Sequence, residues 1–437
     1  MKDLEQQRQA LGSFNFDTAC QLHQLLNDYA VYCLARRLDE LGVLESLSSA
    51  DSASKVILQH QVEPTYHQLI HYLVAYFSES HDVKPSLTAE ALAERILDID
   101  PRLATTLKLI ARCAEHLWSV VIGETKYVEV LFPGGSIELV KGFYADNLLA
   151  DWYQEQTAQA VEGLVAKVSQ PLRLIEIGAG SGASTEWILD RLRPYAERIH
   201  YTFTDVSPIF PQLAKRQFAD FSNMSFRALD ITKPLADQGI ELGAYDMVIA
   251  ANVLHATPKL AETLEQLACL CKPQGHVVIN EVMTMQFYHN IVFGLTDGWW
   301  AFDDDLRQPF APLVAHTTWR QSLSAHQFEL TETLAFPGES GDYLQAVMVA
   351  TNKVAKNKGA ADQALTGTST TPASDGHADI LIALTDIVHK VSWIEPAELA
   401  ADRNLFELGI DSLMLTTIRQ HIKRDFELDI PVSEFYQ

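Results

Sequence analysis

Three groups of residues in this chain have types and spacings suited to chemistry. The first centres on a serine. Ser412 sits in LGIDSL, after DRNLFE and before MLTTIRQHIKRDF, whose apolar spacing is helical. A serine at an exposed helix start, with Asp411 before it, could carry a flexible arm through a phosphoester. The plainer alternative is an Asp-Ser helix cap. The second group is a glycine run. RLIEIGAGSGAST reads as a strand, then Gly178, Gly180 and Gly182, then a helix. Glycines there allow a tight turn and a close approach of backbone to ligand. Glu176 precedes them. A second strand, HYTFTDVS, ends in Asp205, where a carboxylate can accept both ribose hydroxyls. Asp230, in RALDI, follows the next strand. The third group pairs His255, in AANVLHAT, with Glu281, at the end of VVINEVM. Open α/β sheets bind ligands at the carboxyl ends of their strands, so both residues face one crevice. A carboxylate on one imidazole nitrogen fixes the tautomer and stabilises the imidazolium, leaving the other nitrogen as general base. Glu281→Gln keeps a partner but loses the charge, so it is expected to do less damage than loss of His255. Taken alone, a histidine after a strand is more often structural.

The elements that must position these residues follow from periodicity. The first third reads as helical: Cys20–Leu44, stopped near Gly42, then Tyr66–Phe77, Leu87–Ile99 and Arg102–Leu117. LFPGGSIELVKGFYADN reads as irregular, punctuated by Gly134 and Gly135. From Leu172 strands alternate with helices: Leu172–Ile177, Ile199–Thr204, Ser225–Ala228, Tyr245–Ala250 and His276–Asn280. That is the layout of an open, mostly parallel sheet with helices on both faces, an α/β fold. Phe328–Leu334 and Tyr343–Val349, joined by FPGESGD, read as a closing hairpin. Residues 352–378 hold almost no large apolar side chain and read as a flexible linker. An amphipathic pattern, ILIALTDIVHKV, then opens a small helical domain over 379–437.

Composition narrows the functional classes. A net charge of −24 argues against nucleic acid and anionic membrane as partners, since both need clustered Lys and Arg. No apolar run approaches a membrane span, and MKDLEQQRQALGSF lacks the pattern of a secretory signal. Cys20, Cys33, Cys113, Cys269 and Cys271 form no even disulfide framework. Cys269-Leu-Cys271 has the wrong spacing for a zinc knuckle, so no metal is expected. Reduced thiols in the cytoplasm are the expectation.

DRNLFELGIDSL, with IPVSEFY beyond it, resembles an acyl carrier protein of the polyketide synthase type. The resemblance implies an all-α bundle with 4′-phosphopantetheine on Ser412, attached by a phosphopantetheinyl transferase. The order E-x-G-x-G-x-G, then Asp205, then Asp230, resembles class I S-adenosylmethionine-dependent methyltransferases. Dinucleotide binding, the rival, would place the third glycine one residue later. By that resemblance the backbone at Gly178 and Gly180 holds the methionine part, Asp205 the ribose and Asp230 the adenine amine. Glu176, Gly182, Asn252 and Tyr144 complete the expected cofactor set.

YTFTDVSPIF, AANVLHAT, the Lys272-Pro273 turn with Gly275, and FGLTDGWW resemble the methyltransferase domains of modular polyketide synthases. The match runs from VLFPGGSIELVKGFYADN to about Ala350. Gln274-Gly275, where Gly-Gly is usual, is one departure. In that family the matching His and Glu are the catalytic dyad. Trp299 and Trp300 are expected in the pocket wall, with simple core packing the alternative. The implied organisation is a Rossmann-like class I sheet with an N-terminal helical lid. Its divisions are a lid over 1–130, a methyltransferase core over 131–351, a linker over 352–378 and a carrier over 379–437. The carrier is expected to be cut short, so that the chain is part of a longer polypeptide. The implied reaction methylates the α-carbon of a carrier-tethered β-ketoacyl intermediate, alongside neighbouring synthase domains. Methylation of a hydroxyl on the chain is the alternative, and an inactive scaffold beside a working carrier a third reading.

Overall fold

The computed structural model describes residues 4–48, 52–79, 87–336 and 343–353, with isolated positions at 384, 385, 387, 388, 418 and 422. Ser412, the segment beyond Lys353 and the FPGESGD tip from 337 to 342 lie outside the described residues.

Seven strands form one sheet: β1 Leu172–Ile177, β2 Ile199–Asp205, β3 Met224–Ala228, β4 Tyr245–Ala251, β5 Cys271–Val282, β6 Phe328–Leu334 and β7 Gln345–Asn352. The order is β3-β2-β1-β4-β5-β7-β6. The first five strands pair in parallel, and β7 runs antiparallel between β5 and β6. The sheet is therefore mixed, as the expected hairpin requires. The central strands are apolar almost throughout because both faces are covered. Their two-residue period divides the core. Leu174, Ile249, Val278 and Val347 join a cluster with the N-terminal helices, through Leu22, Leu26, Leu69 and Ile110. Ile175, Val248, Ile279 and Met348 join a second cluster with Leu264, Leu267, Trp319 and Leu323.

Sequence order reverses beside β1, which lies between β2 and β4. This is the switch point at which the carboxyl ends of strands leave a crevice. Glu176, Asp205, Asn252 and Glu281 stand at or just past the ends of β1, β2, β4 and β5.

The helical third departs from the sequence reading in places. The long helix is Phe16–Glu40, started by Asn15, whose side chain accepts from the Thr18 N–H at 3.0 Å. It stops before Gly42, which has φ +69°, and Leu44–Ser48 is a separate short helix. The stretch expected to be irregular contains Glu138–Tyr144 as helix, and the end of Tyr127–Leu131. The two glycines, with φ of +64° and +77°, break the chain only between them. The sequence reading passed over Leu148–Ala166. This 19-residue helix buries Asp151, Gln154, Glu155 and Thr157 among its apolar side chains, so no clean apolar stripe marks it. Arg102 pairs with Asp151 at 2.8 Å, and Thr157 accepts from Asn280 of β5 at 3.0 Å.

Candidate active site

The glycine loop is built on a buried brace. Glu176, almost wholly enclosed, accepts from Thr185 Oγ1 at 2.6 Å and from the Tyr201 hydroxyl at 2.7 Å. It thereby ties β1 to β2 and to the helix Ala183–Leu192. Burial pushes its carboxyl up to about 7, against the pull of these two hydrogen bonds, and nearby Asp205 pushes it further. Above the brace, Gly178, Gly180 and Gly182 have φ of +60°, +54° and +78°. A Cβ on Gly178 would lie 2.2 Å from Val253 Cγ2, and one on Gly182 would lie 2.9 Å from the Phe218 ring. Gly180 faces open space, with only the Gly178 carbonyl oxygen at 4.0 Å.

The Gly180 N–H donates to Asp205 Oδ2 at 2.9 Å, and the Ser207 N–H donates to Oδ1 at 2.9 Å. Both carboxylate oxygens of Asp205 thus accept from backbone N–H groups. Asp230 is turned toward its own loop. It accepts from Thr232 N and Oγ1 at 3.0 and 2.6 Å, and its other oxygen lies 3.3 Å from Lys233 Nζ.

At the end of β4 the chain turns through Asn252, which has φ +52°. Its N–H donates to the Asn280 carbonyl at 2.7 Å, and its Oδ1 accepts from Val282 N at 3.1 Å. The turn carries His255 beside β5. His255 Nδ1 lies 2.5 Å from Glu281 Oε2. Glu281 is fully buried, and its Oε1 accepts from the Leu254 and Val253 N–H groups at 2.8 and 3.1 Å. With Nδ1 committed to the carboxylate, Nε2 is the nitrogen left for chemistry. Arg307 fixes the same turn from behind. It donates to the carbonyls of His255 and Thr257 at 3.0 and 2.9 Å and pairs with Asp304 at 2.9 Å.

His255 opens on a half-open pocket of about 290 Å³, solvent mouth included, walled by Phe143, Tyr144, Phe293, Trp299 and Leu313. Trp299 meets the imidazole edge-on, with ring centres 5.8 Å apart. A larger cleft of about 680 Å³, including its open mouth, adjoins it and shares Phe143, Tyr144, Asn252, Val282 and His289. His23, Gln154 and Gln345 give the larger cleft polar walls. Burial, then the charge of Glu281, pushes the Tyr144 phenol up, so it stays protonated.

The structure thus brings Tyr144, Asn252 and His255 to one cavity and sets Glu281 directly behind His255. Gly178, Gly180, Asp205 and Asp230 line neither cavity described here. They form a neighbouring cradle, joined to the first through Val253, which packs on Gly178 and donates to Glu281. Sequence reasoning missed His289, Arg307 and Gln154. The first lies in an apolar run that reads as core, and the others have meaning only through tertiary partners. No cluster of metal-ligating side chains occurs among the described residues, and no described helix is long and apolar enough to cross a membrane.

Comparison with known proteins gives two family matches: a methyltransferase domain over residues 175–277 and a phosphopantetheine attachment site over 383–437. Methyltransferase calH of Penicillium decumbens is 34% identical over 261 residues, covering 57% of this chain and 71% of that protein. Polyketide synthase PksM of Bacillus subtilis is 33% identical over 54% of this chain, but the match spans only 6% of that synthase. Among solved structures, the CurJ carbon methyltransferase superposes with TM-score 0.65 at 29% identity, covering 77% of this chain and 92% of the other. The trans-methyltransferase CalH in complex with SAH superposes with TM-score 0.61 at 26% identity, covering 78% and 92%.

Proposed function

The chain belongs to the methyltransferases of polyketide synthases, and from that premise we propose that it moves a methyl group from S-adenosylmethionine to the α-carbon of a β-ketoacyl thioester held on phosphopantetheine. The observation that carries this reading is the 2.5 Å contact between His255 Nδ1 and buried Glu281, in a cavity beside the glycine cradle. Carbon as the acceptor is supported by the carbon methyltransferase CurJ, which this chain resembles over most of its length.

The cradle fits S-adenosylmethionine. Open space over Gly180, the carboxylate of Asp205 and the start of the helix Ala183–Leu192 suit a ribose and an amino-acid tail. Gly178 and Gly180 would hold the methionine part, Asp205 the ribose and Asp230 the adenine amine. Glu176 and Gly182 brace the loop, and Asn252 and Tyr144 stand where the cradle meets the cavity. When bound, the cofactor supplies an electrophilic methyl on a positively charged sulfur.

The chain's own part begins with His255. Its Nε2 takes the α-proton, and the C–H electron pair moves into the carbonyl to give an enolate. The imidazolium that forms is stabilised by Glu281 across the short contact. Glu281 in turn is held by two backbone N–H groups, so it need not reorganise. The apolar walls formed by Phe143, Phe293, Trp299 and Leu313 lower the polarity around the reacting groups, which strengthens the electrostatics there.

Ser412 is proposed to carry the phosphopantetheine arm, added by a phosphopantetheinyl transferase. Neighbouring synthase domains would supply and remove the tethered chain. The proposal keeps the five cysteines as thiols in a cytoplasmic setting.

The test uses the full chain, S-adenosylmethionine and a β-ketobutyryl group loaded on its carrier. Mass spectrometry should find one added methyl, and NMR should place it on the α-carbon. A methyl on oxygen, or methylation of the β-hydroxy analogue alone, would move the assignment to a hydroxyl.

A further inference from the structure

We propose that His289 is a substrate-contacting residue whose imidazole N–H donates to the acyl carbonyl oxygen as charge collects there during α-proton removal. This rests on the carbon-methylation reading above.

His289 lies in the short helix Phe287–Val292 and borders both the His255 cavity and the larger cleft. Three polar residues beside it in the chain have partners. The Tyr288 hydroxyl meets His23 Nδ1 at 2.8 Å. Asn290 accepts from Trp299 Nε1 at 2.7 Å and donates to the Phe310 carbonyl at 3.0 Å. Gln286 accepts from Asn27 at 2.8 Å. The His289 ring differs from these three. It is 6% exposed, and neither of its nitrogens hydrogen-bonds to a described residue. Aromatic rings pack around it, with Tyr288 at 4.5 Å, Phe143 at 6.0 Å and Phe293 at 6.5 Å. A ring that borders two cavities and makes no side-chain hydrogen bond to a described residue can take its partner from a ligand entering there.

The chemistry needs such a donor. As the α-proton leaves for His255 Nε2, the C–H pair forms the enolate double bond and the carbonyl π pair moves onto oxygen. That oxygen must be met by an N–H or O–H already in place. When the enolate carbon takes the methyl, the C–S pair returns to sulfur and the carbonyl re-forms. His289 keeps its proton throughout. Burial, and then the neighbouring imidazoles His23 and His255, hold its pKa well below the ordinary histidine value. It is therefore a poor base and does not compete with His255. It also stays neutral when His255 becomes cationic.

The test uses the full chain with the β-ketobutyryl thioester of pantetheine. Two rates are read: methyl transfer with S-adenosylmethionine, and exchange of the α-proton into deuterated water without it, above the uncatalysed rate. His289→Leu should lower both on the order of 100-fold and leave the affinity for S-adenosylmethionine within about threefold. Of Asn and Gln at this position, the one whose N–H reaches the oxygen should recover at least about tenfold. If the Leu variant fails to bind the cofactor, His289→Met takes its place. Near-normal rates in the apolar variant would overturn the proposal. So would loss of transfer with exchange intact, or a loss that neither amide relieves. A wild-type enzyme that neither exchanges nor methylates the α-carbon would overturn the carbon reading itself.

Discussion

At the scale of single residues, the three acceptor contacts of Glu281 decide what its replacement does. His255→Ala removes the proposed base and should lower methyl transfer by at least about 100-fold. Affinity for S-adenosylmethionine, measured by calorimetry, should stay unchanged. The geometry revises the milder effect expected of Glu281→Gln. The amide oxygen must face the Val253 and Leu254 N–H groups, so its NH2 faces His255 Nδ1. That donor forces the ring proton onto Nε2, the nitrogen needed as base. Glu281→Gln should therefore be about as damaging as His255→Ala, as wrong-tautomer variants of catalytic triads are. Turnover within about tenfold of wild type would contradict this. The glycines make a second comparison. Gly178→Ala drives a methyl into Val253 and should lower both melting temperature and cofactor affinity. Gly180→Ala meets open space but shares the positive φ, so it carries the backbone strain without the clash and should cost less stability than Gly178→Ala. Equal losses of stability in the two variants would count against the cradle.

At the scale of elements, the residues of the site were legible because strand ends are legible. A run such as DMVIAA shows nearly where a strand stops, and in an open sheet the next residue falls at the crevice; β5 instead runs past the expected end at Asn280 to Val282, with Glu281 its last residue but one. The separation between His255 and Glu281 was not legible, since it depends on the positive-φ turn at Asn252 and on Arg307 gripping two carbonyls behind it. Nor was the helix Leu148–Ala166, because buried polar residues with tertiary partners blur its periodicity. The place of β7 between β5 and β6 follows from the hairpin only once the pairing is seen. Glu176 links three elements, and its pKa near 7 gives their junction a pH dependence. An unfolded glutamate titrates near its ordinary value, well below this. The folded state therefore binds the proton more tightly. The contribution is fully present below the unfolded pKa and is lost as pH rises toward 7. Relative to Glu176→Gln, wild-type stability should fall by on the order of 1 kcal/mol per pH unit between about pH 5 and 7. Denaturant melts of both proteins across this range measure it, and parallel curves would refute it.

At the scale of the whole molecule, the N-terminal helices and one face of the sheet share a single core. A chain starting at residue 131 loses Leu22, Leu26, Leu69 and Ile110 from that core and should not fold alone, which circular dichroism would reveal. A chain ending at Lys353 retains all of it. It also keeps the closing contacts of β7: Asn352 donates to the Cys271 carbonyl at 3.1 Å, and Lys353 N donates to the Gln327 carbonyl at 2.7 Å. That truncated chain should melt cooperatively, bind S-adenosylmethionine and methylate a substrate offered on a separate carrier. Failure to fold would place the true boundary beyond Lys353.

Val253 joins the two halves of the site, with its methyl against Gly178 and its N–H on Glu281. The outer wall of the acceptor cavity is drawn from other parts of the chain, at Phe143, Phe293, Trp299 and Leu313. The consequence concerns how such a protein can be altered. Substitutions at 143, 293 and 313 can reshape which acyl chains enter while the donor side stays as it is, whereas a change at Val253 disturbs both partners of the reaction together. A laboratory seeking new chain preferences should diversify the outer wall and hold that valine constant.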